Sequence, residues 1–168
     1  MSLLSRAGTD CLSKLEAAAK QRYAEARQFQ ENRPLIAVYL FGYSIEMRLK
    51  AAYYHLIGLA SDSPLDKPRR LAEATIKQHI ESGSINTPNV PIGHNIMGWA
   101  YLLEEKRRDL GQDLPAHFCQ QMRQHTGITA ENWGIILRYR ANKPTAKELN
   151  CVSGAARWFS KNAGTLWR

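Results

Sequence analysis

The stretch from Pro34 to Gly58 constrains the fold more than any other part of the chain. Pro34 suits the first turn of a helix, where the amide hydrogen that proline lacks has no intrahelical acceptor. Behind it Leu35, Ile36, Val38, Tyr39, Leu40, Phe41, Tyr43, Ile45, Met47, Leu49, Tyr53, Leu56 and Ile57 leave the helix apolar nearly all round. Such a helix needs contacts on several sides, more than a small bundle easily supplies, so a homodimer is expected. The segment therefore predicts a helix over 34–59, stopped by Gly58 and running through the middle of the molecule. About 20 uncharged residues are needed to cross a bilayer. The longest apolar run, 35–45, instead meets Glu46, Arg48 and Lys50. A core helix is expected, not a membrane span.

A long core helix needs long partners, and the rest of the chain offers them. Leu4, Cys11, Leu15, Ala18, Ala19, Ala26 and Phe29 recur at helical steps and predict a helix over 6–31. Asp66 and Pro68 open a weaker one over 67–82. Residues 83–93, rich in Gly, Pro and Asn, read as a loop. A helix over 94–110 follows, with Ile96, Trp99, Ala100 and Leu103 on one face and Gly111 after it. Asp113-Leu114-Pro115 opens a short helix carrying Phe118 and Met122, and Thr129 to about Arg138 reads as another, with Trp133, Ile136 and Leu137. Thr145 and Glu148 form a capping box that starts a last helix over 145–164, striped by Leu149, Val152, Ala156, Phe159 and Ala163. No strand pair or repeat competes. The expected fold class is all-α: an antiparallel bundle of four to five helices, with short extra helices in the connections, forming one domain over 1–168.

Charge and cysteine usage narrow the function classes. The net charge is +8, and residues 101–168 hold 11 basic against 6 acidic side chains. That balance attracts polyanions. Cys11, Cys119 and Cys151 are odd in number and lack CxxC spacing, which argues against a disulfide framework or a zinc site and fits a reducing cytoplasm. The amino terminus lacks the apolar centre of a secretion signal. The five histidines form no metal-ligand spacing, and no Gly-x-x-x-x-Gly-Lys phosphate loop occurs. Neither a metal nor a cofactor is expected.

Within the central helix Glu46 and Lys50 stand four apart in the better ion-pair order. A carboxylate on so apolar a helix is costly to bury unless paired. Lys50, His94 and Arg138 are the candidate cations, and the site reads either as a structural ion network or as a ligand or catalytic centre. His94, at the start of its helix, reads as a helix cap or as a partner side chain.

Gly42-Tyr43 followed by Glu46-Met47-Arg48-Leu49-Lys50-Ala51 resembles the second helix of HEPN domains. Gly93-His94-Asn95-Ile96 is similar to the Gly-His-Asp-Leu-type start of that family's next long helix. Arg138-Tyr139, then Thr145-x-x-Glu148 and Ala155-Ala156, resemble its connection into the final helix. The resemblance spans about 34–164. It implies a helical homodimer that binds nucleotide or RNA, with a protein partner such as a nucleotidyltransferase and a place in a bacterial defence or toxin–antitoxin type system. Catalytic members are metal-independent RNases with Arg-x(4-6)-His near the last helix. Here Arg138 and Arg140 are followed by no histidine at all, so the general base is missing. A non-catalytic member is the expectation.

Two further readings stay beside it. Arg48 and His55 make an Arg-x6-His match in the wrong helix, the weak candidate for an unorthodox RNase site, as is Arg138 with Glu46. A purely structural partner subunit is the other. For nucleic acid, Arg138, Tyr139, Arg140 and Lys143 put an aromatic into a basic loop, and Arg157 and Lys161 share a stripe of the last helix.

Overall fold

The computed structural model describes residues 10–87, 90–135, 137 and 143–168. Six α-helices make up the described part: α1 (Leu12–Phe29), α2 (Pro34–Leu56), α3 (Asp66–Glu81), α4 (Ile96–Asp109), α5 (Ala116–Asn132) and α6 (Ala146–Asn162), with a 3-10 turn at Ile92–His94 before α4. The protein is all-α, a helical bundle.

At the centre of the molecule is α2. Thirteen of its residues are buried, among them Val38, Phe41, Ile45 and Leu49. Three helices, α1, α4 and α6, pack against it, and α5 closes the bundle between α4 and α6. Directions follow from the side-chain pairings. Glu16 meets His55 and Tyr23 meets Phe41, so α1 runs against α2. Lys50 meets Trp99, and Glu46 meets His94, so α4 runs with α2. Arg48 meets Ser160, and His55 meets Trp167, so α6 does too. Arg123 of α5 meets Glu104 near the end of α4 while Trp133 lies beside His94 and Ile96 at its start, so α1 and α5 run against α2, α4 and α6.

Local chemistry sets the boundaries. Residues 10–11 are extended, Cys11 bridges to Pro64, and Leu65 donates its amide to the Asp10 carbonyl at 3.1 Å, so α1 begins at Leu12 and not at 6. Residues 6–9 lie outside the described part. Pro34 occupies the first turn of α2, and the helix ends at Leu56, three residues before the expected 59. Gly58 at φ +75° turns the chain there, in a conformation that costs glycine little. The Leu59 amide then reaches the Tyr54 carbonyl at 3.0 Å.

The largest departure from the sequence reading is α5. The two short helices expected at Asp113–Pro115 and from Thr129 onward are one helix, Ala116–Asn132. Thr126 and Thr129 lie inside it, their hydroxyls donating back to the Met122 and His125 carbonyls, each at 2.7 Å. The chain leaves helical geometry at Trp133, whose φ of −133° is extended. Ile136 and Arg138 of the expected second piece lie outside the described residues.

Candidate functional site

The best-defined polar cluster sits on the inward side of α2. Glu46 is 3% exposed. Both carboxylate oxygens are engaged: Lys50 Nζ donates to Oε1 at 2.5 Å, and His94 Nδ1 lies 2.9 Å from Oε2. An ionised carboxylate only accepts, so Nδ1 carries the hydrogen in that contact. The Lys50 ammonium also stands 5.2 Å from the Trp99 ring centre, and the edge of Tyr43 meets His94 at 5.9 Å between centroids. The Lys50 ammonium and the His94 N–H compensate a carboxylate almost wholly removed from water, and the Trp99 ring in turn steadies the ammonium.

His94 reaches Glu46 because Asn95 does the capping. Asn95 Oδ1 accepts from the Gly98 amide at 2.9 Å, and its Nδ2 donates to Thr87 Oγ1 at 2.9 Å. His94 belongs to the preceding 3-10 turn, so the cap expected of it falls to its neighbour. Behind the cluster Tyr43 packs edge-on against Trp133, whose Nε1 donates to the Tyr39 carbonyl at 2.9 Å. No helical periodicity marks Asn95, Gly42 or Trp133 as parts of one assembly.

Arg48 and His55 do not share a site. Two helical turns separate them by about 10 Å along α2, and each has its own partners. Arg48, 8% exposed, donates from Nη2 to Ser160 Oγ at 3.3 Å, while its Nε is buried without an acceptor. Burial pulls its guanidinium below its ordinary value, an effect that Tyr23 partly opposes. The His55 ring stacks on Trp167 with centroids 4.0 Å apart, and its Nε2 lies 2.9 Å from Glu16 Oε1.

Lys143, Arg157 and Lys161 are exposed and make no ion pair among the described residues. Arg138, Tyr139 and Arg140, the other residues expected in the basic loop, lie outside the described part. Compared with known proteins, the chain matches no family model, no curated protein and no solved structure. The site's chemistry therefore has to be read from its own atoms.

Two clefts open beside these elements. One of about 290 Å³ between α1, α2 and α3 reaches Lys50, with Lys14, Met47, Tyr54 and Arg69 around it. Burial pushes the Tyr54 phenol up, so it stays neutral there. The larger, about 430 Å³, lies away from the Glu46 cluster, over Met97, Tyr101, Glu104, Glu105 and Arg123. Its charges compensate one another, since Arg123 forks onto Glu104 and His79 meets Glu105. Among the described residues no group of three or more His, Cys, Asp or Glu side chains could hold a metal, and the three cysteines are free. No helix of the described part is long and apolar enough to cross a membrane.

Proposed function

We propose that the protein is a HEPN-like, catalytically silent RNA-binding module. One observation carries the reading: Glu46 and His55, the acid–base groups of the RNase alternatives, are held against Lys50, His94 and Glu16, while Arg157 and Lys161 stand exposed on α6 without a carboxylate partner among the described residues. Glu46 is 3% exposed and faces Lys50 and His94 from inside the bundle, so a substrate has no open approach to its carboxylate. Exposed, unpaired cations at helical spacing are free to meet phosphates. The homodimer, the nucleotidyltransferase-type partner and the defence-system setting rest on the resemblance alone, because α1, α4 and α6 already enclose α2 within one chain.

Labelled single-stranded RNA, titrated by fluorescence anisotropy between 50 and 200 mM salt (~ranges in which phosphate contacts dominate), tests it. Binding should weaken steeply with salt, and each of Arg157→Ala and Lys161→Ala should lower the salt slope by about 0.7. Salt-independent or absent binding removes the RNA reading and leaves the structural subunit. Metal-free cleavage in chelator, lost on substitution of Arg48 or Arg138, replaces it with an RNase. Sedimentation at low micromolar concentration decides the dimer.

A further inference from the structure

We propose that Arg48, Ser160 and Tyr23 form a binding site for a tetrahedral oxyanion of the phosphate class, in the seam where α2 meets α1 and α6. The argument starts from an imbalance. Glu46, one half-turn earlier on the same helix, is fully compensated, whereas Arg48 is 8% exposed and has no carboxylate partner among the described residues. Its described contact is a 3.3 Å bond to a neutral hydroxyl. A buried guanidinium left this way calls for an anion, and its planar fork matches two oxygens of a phosphate.

The atoms around it are arranged to receive one. Nε is sealed from solvent and Nη2 points at Ser160, whereas Nη1 is neither hydrogen-bonded nor among the buried unpartnered atoms, so it is the end of the fork that meets water. The Ser160 oxygen accepts from Arg48, which leaves its own hydrogen to donate. Tyr23 on α1 packs its ring on Phe41, two turns before Arg48 on the same face of α2, and its phenol is the hydroxyl that α1 brings to this seam. The mouth is basic. Exposed Lys20 and Arg27 lie one turn either side of Tyr23, and exposed Arg157 lies one turn before Ser160. Glu16, the acidic side chain on that edge of α1, is two turns from Tyr23 and already faces His55. Nothing in this depends on RNA binding, since a single small anion fills the seam.

The test uses inorganic phosphate, titrated into the full chain at constant ionic strength set with chloride, and read by calorimetry and by phosphorus NMR line width. The expected result is saturable binding that Arg48→Met abolishes, that Arg48→Lys weakens at least about tenfold because the fork is lost, and that Ser160→Ala weakens about tenfold. Should Arg48→Met fail to fold, Ser160→Ala and Tyr23→Phe carry the test, since neither removes a buried charge. A nucleoside monophosphate that competes with phosphate identifies a nucleotide as the source of the group, and one that does not identifies the free ion. Phosphate that gives no response beyond the chloride control, or that binds Arg48→Met and Ser160→Ala as it binds the wild type, overturns the site. Arg157→Ala with Lys161→Ala should leave saturable phosphate binding within about twofold while reducing RNA affinity, which separates this proposal from the RNA reading.

Discussion

Gly42 of α2 lies directly against the indole of Trp133: a Cβ at Gly42 would stand 2.1 Å from Cγ and Cδ1 of that ring. The contact locks the end of α5 onto the central helix next to Tyr43 and His94, with the Trp133 Nε1 bond to the Tyr39 carbonyl as its anchor.

Gly42→Ala therefore opposes two effects of known size. Alanine gains about 1 kcal/mol of helix propensity over glycine. Overpacking typically costs about 1–3 kcal/mol, and a 2.1 Å approach to a ring held by a hydrogen bond puts this site at or beyond the upper end, about 3 kcal/mol. Packing wins, and urea denaturation should show a net loss of at least about 2 kcal/mol, accompanied by a red shift of tryptophan emission as Trp133, 5% exposed in the native fold, is pushed toward water. Unchanged stability and emission would mean that the indole does not sit on Gly42.

The Glu46 cluster makes a different prediction. Glu46→Ala removes the acceptor of both Lys50 and His94 and strands a mostly buried ammonium, so it should cost about 3–5 kcal/mol. Replacing Glu46 and Lys50 together by Leu and Met removes both charges and should recover most of that loss, because a buried pair exchanged for apolar volume is often neutral. A double-mutant cycle by denaturant unfolding measures the coupling. A double replacement as damaging as the single would mean that the pair orders more than its own charges, His94 and its loop included.

How far these features were legible in the sequence depends on the length scale of the signal. The enclosure of α2 follows from its missing polar side, and the capping box from Thr145 and Glu148, because both are local patterns. A shared role for Glu46, Lys50 and His94 was also open to the sequence, since an acid on an apolar helix calls for a cation. The fit of Gly42 under Trp133 was not, since 91 positions separate them and a glycine inside a helix reads only as weak propensity. The continuity of α5 from Ala116 to Asn132 is not visible in the sequence either, because Thr126 and Thr129 carry no apolar stripe and bury by turning their hydroxyls back onto the Met122 and His125 carbonyls. Nor does a sequence tell which of two adjacent polar residues, His94 or Asn95, turns back to cap the helix.

His125 gives the fold a pH dependence. Burial against the Trp158 ring, 5.1 Å between centroids, with Nδ1 unpartnered, pushes its pKa below the ordinary 6.5. The unfolded chain therefore takes up a proton near pH 6.5 while the folded chain resists. Wherever the unfolded state binds more protons, stability rises with pH. The His125 contribution should thus weaken stability as pH falls below about 6.5 toward the lower folded value, and be level at pH above about 6.5. Denaturant midpoints at pH 7.5 and 5.5 should differ less in His125→Phe than in the wild type. An equal or larger difference in the variant would place the pH sensitivity in other groups.

Arg107 holds the end of the described chain. It is 5% exposed, and its guanidinium donates to the carbonyls of Gln112 at 2.7 Å, Leu166 at 3.1 Å and Arg168 at 3.1 Å. Carbonyl oxygens satisfy its hydrogens without a countercharge, and the fork shape lets one side chain bridge the turn after α4 and the segment after α6. Arg107→Lys keeps the charge but cannot reach three acceptors at once, so it should cost about 2–3 kcal/mol, the worth of one or two bonds to a charged donor. The loss should be local. Trp167, stacked on His55, belongs to the segment that Arg107 pins. Amide exchange in 163–168 should accelerate by about tenfold or more while the core of α2 keeps its protection, since segments held by few contacts open independently of the core. Uniform acceleration across α2 and α6 would instead make Arg107 part of the global core, with the end of the chain no looser than its centre.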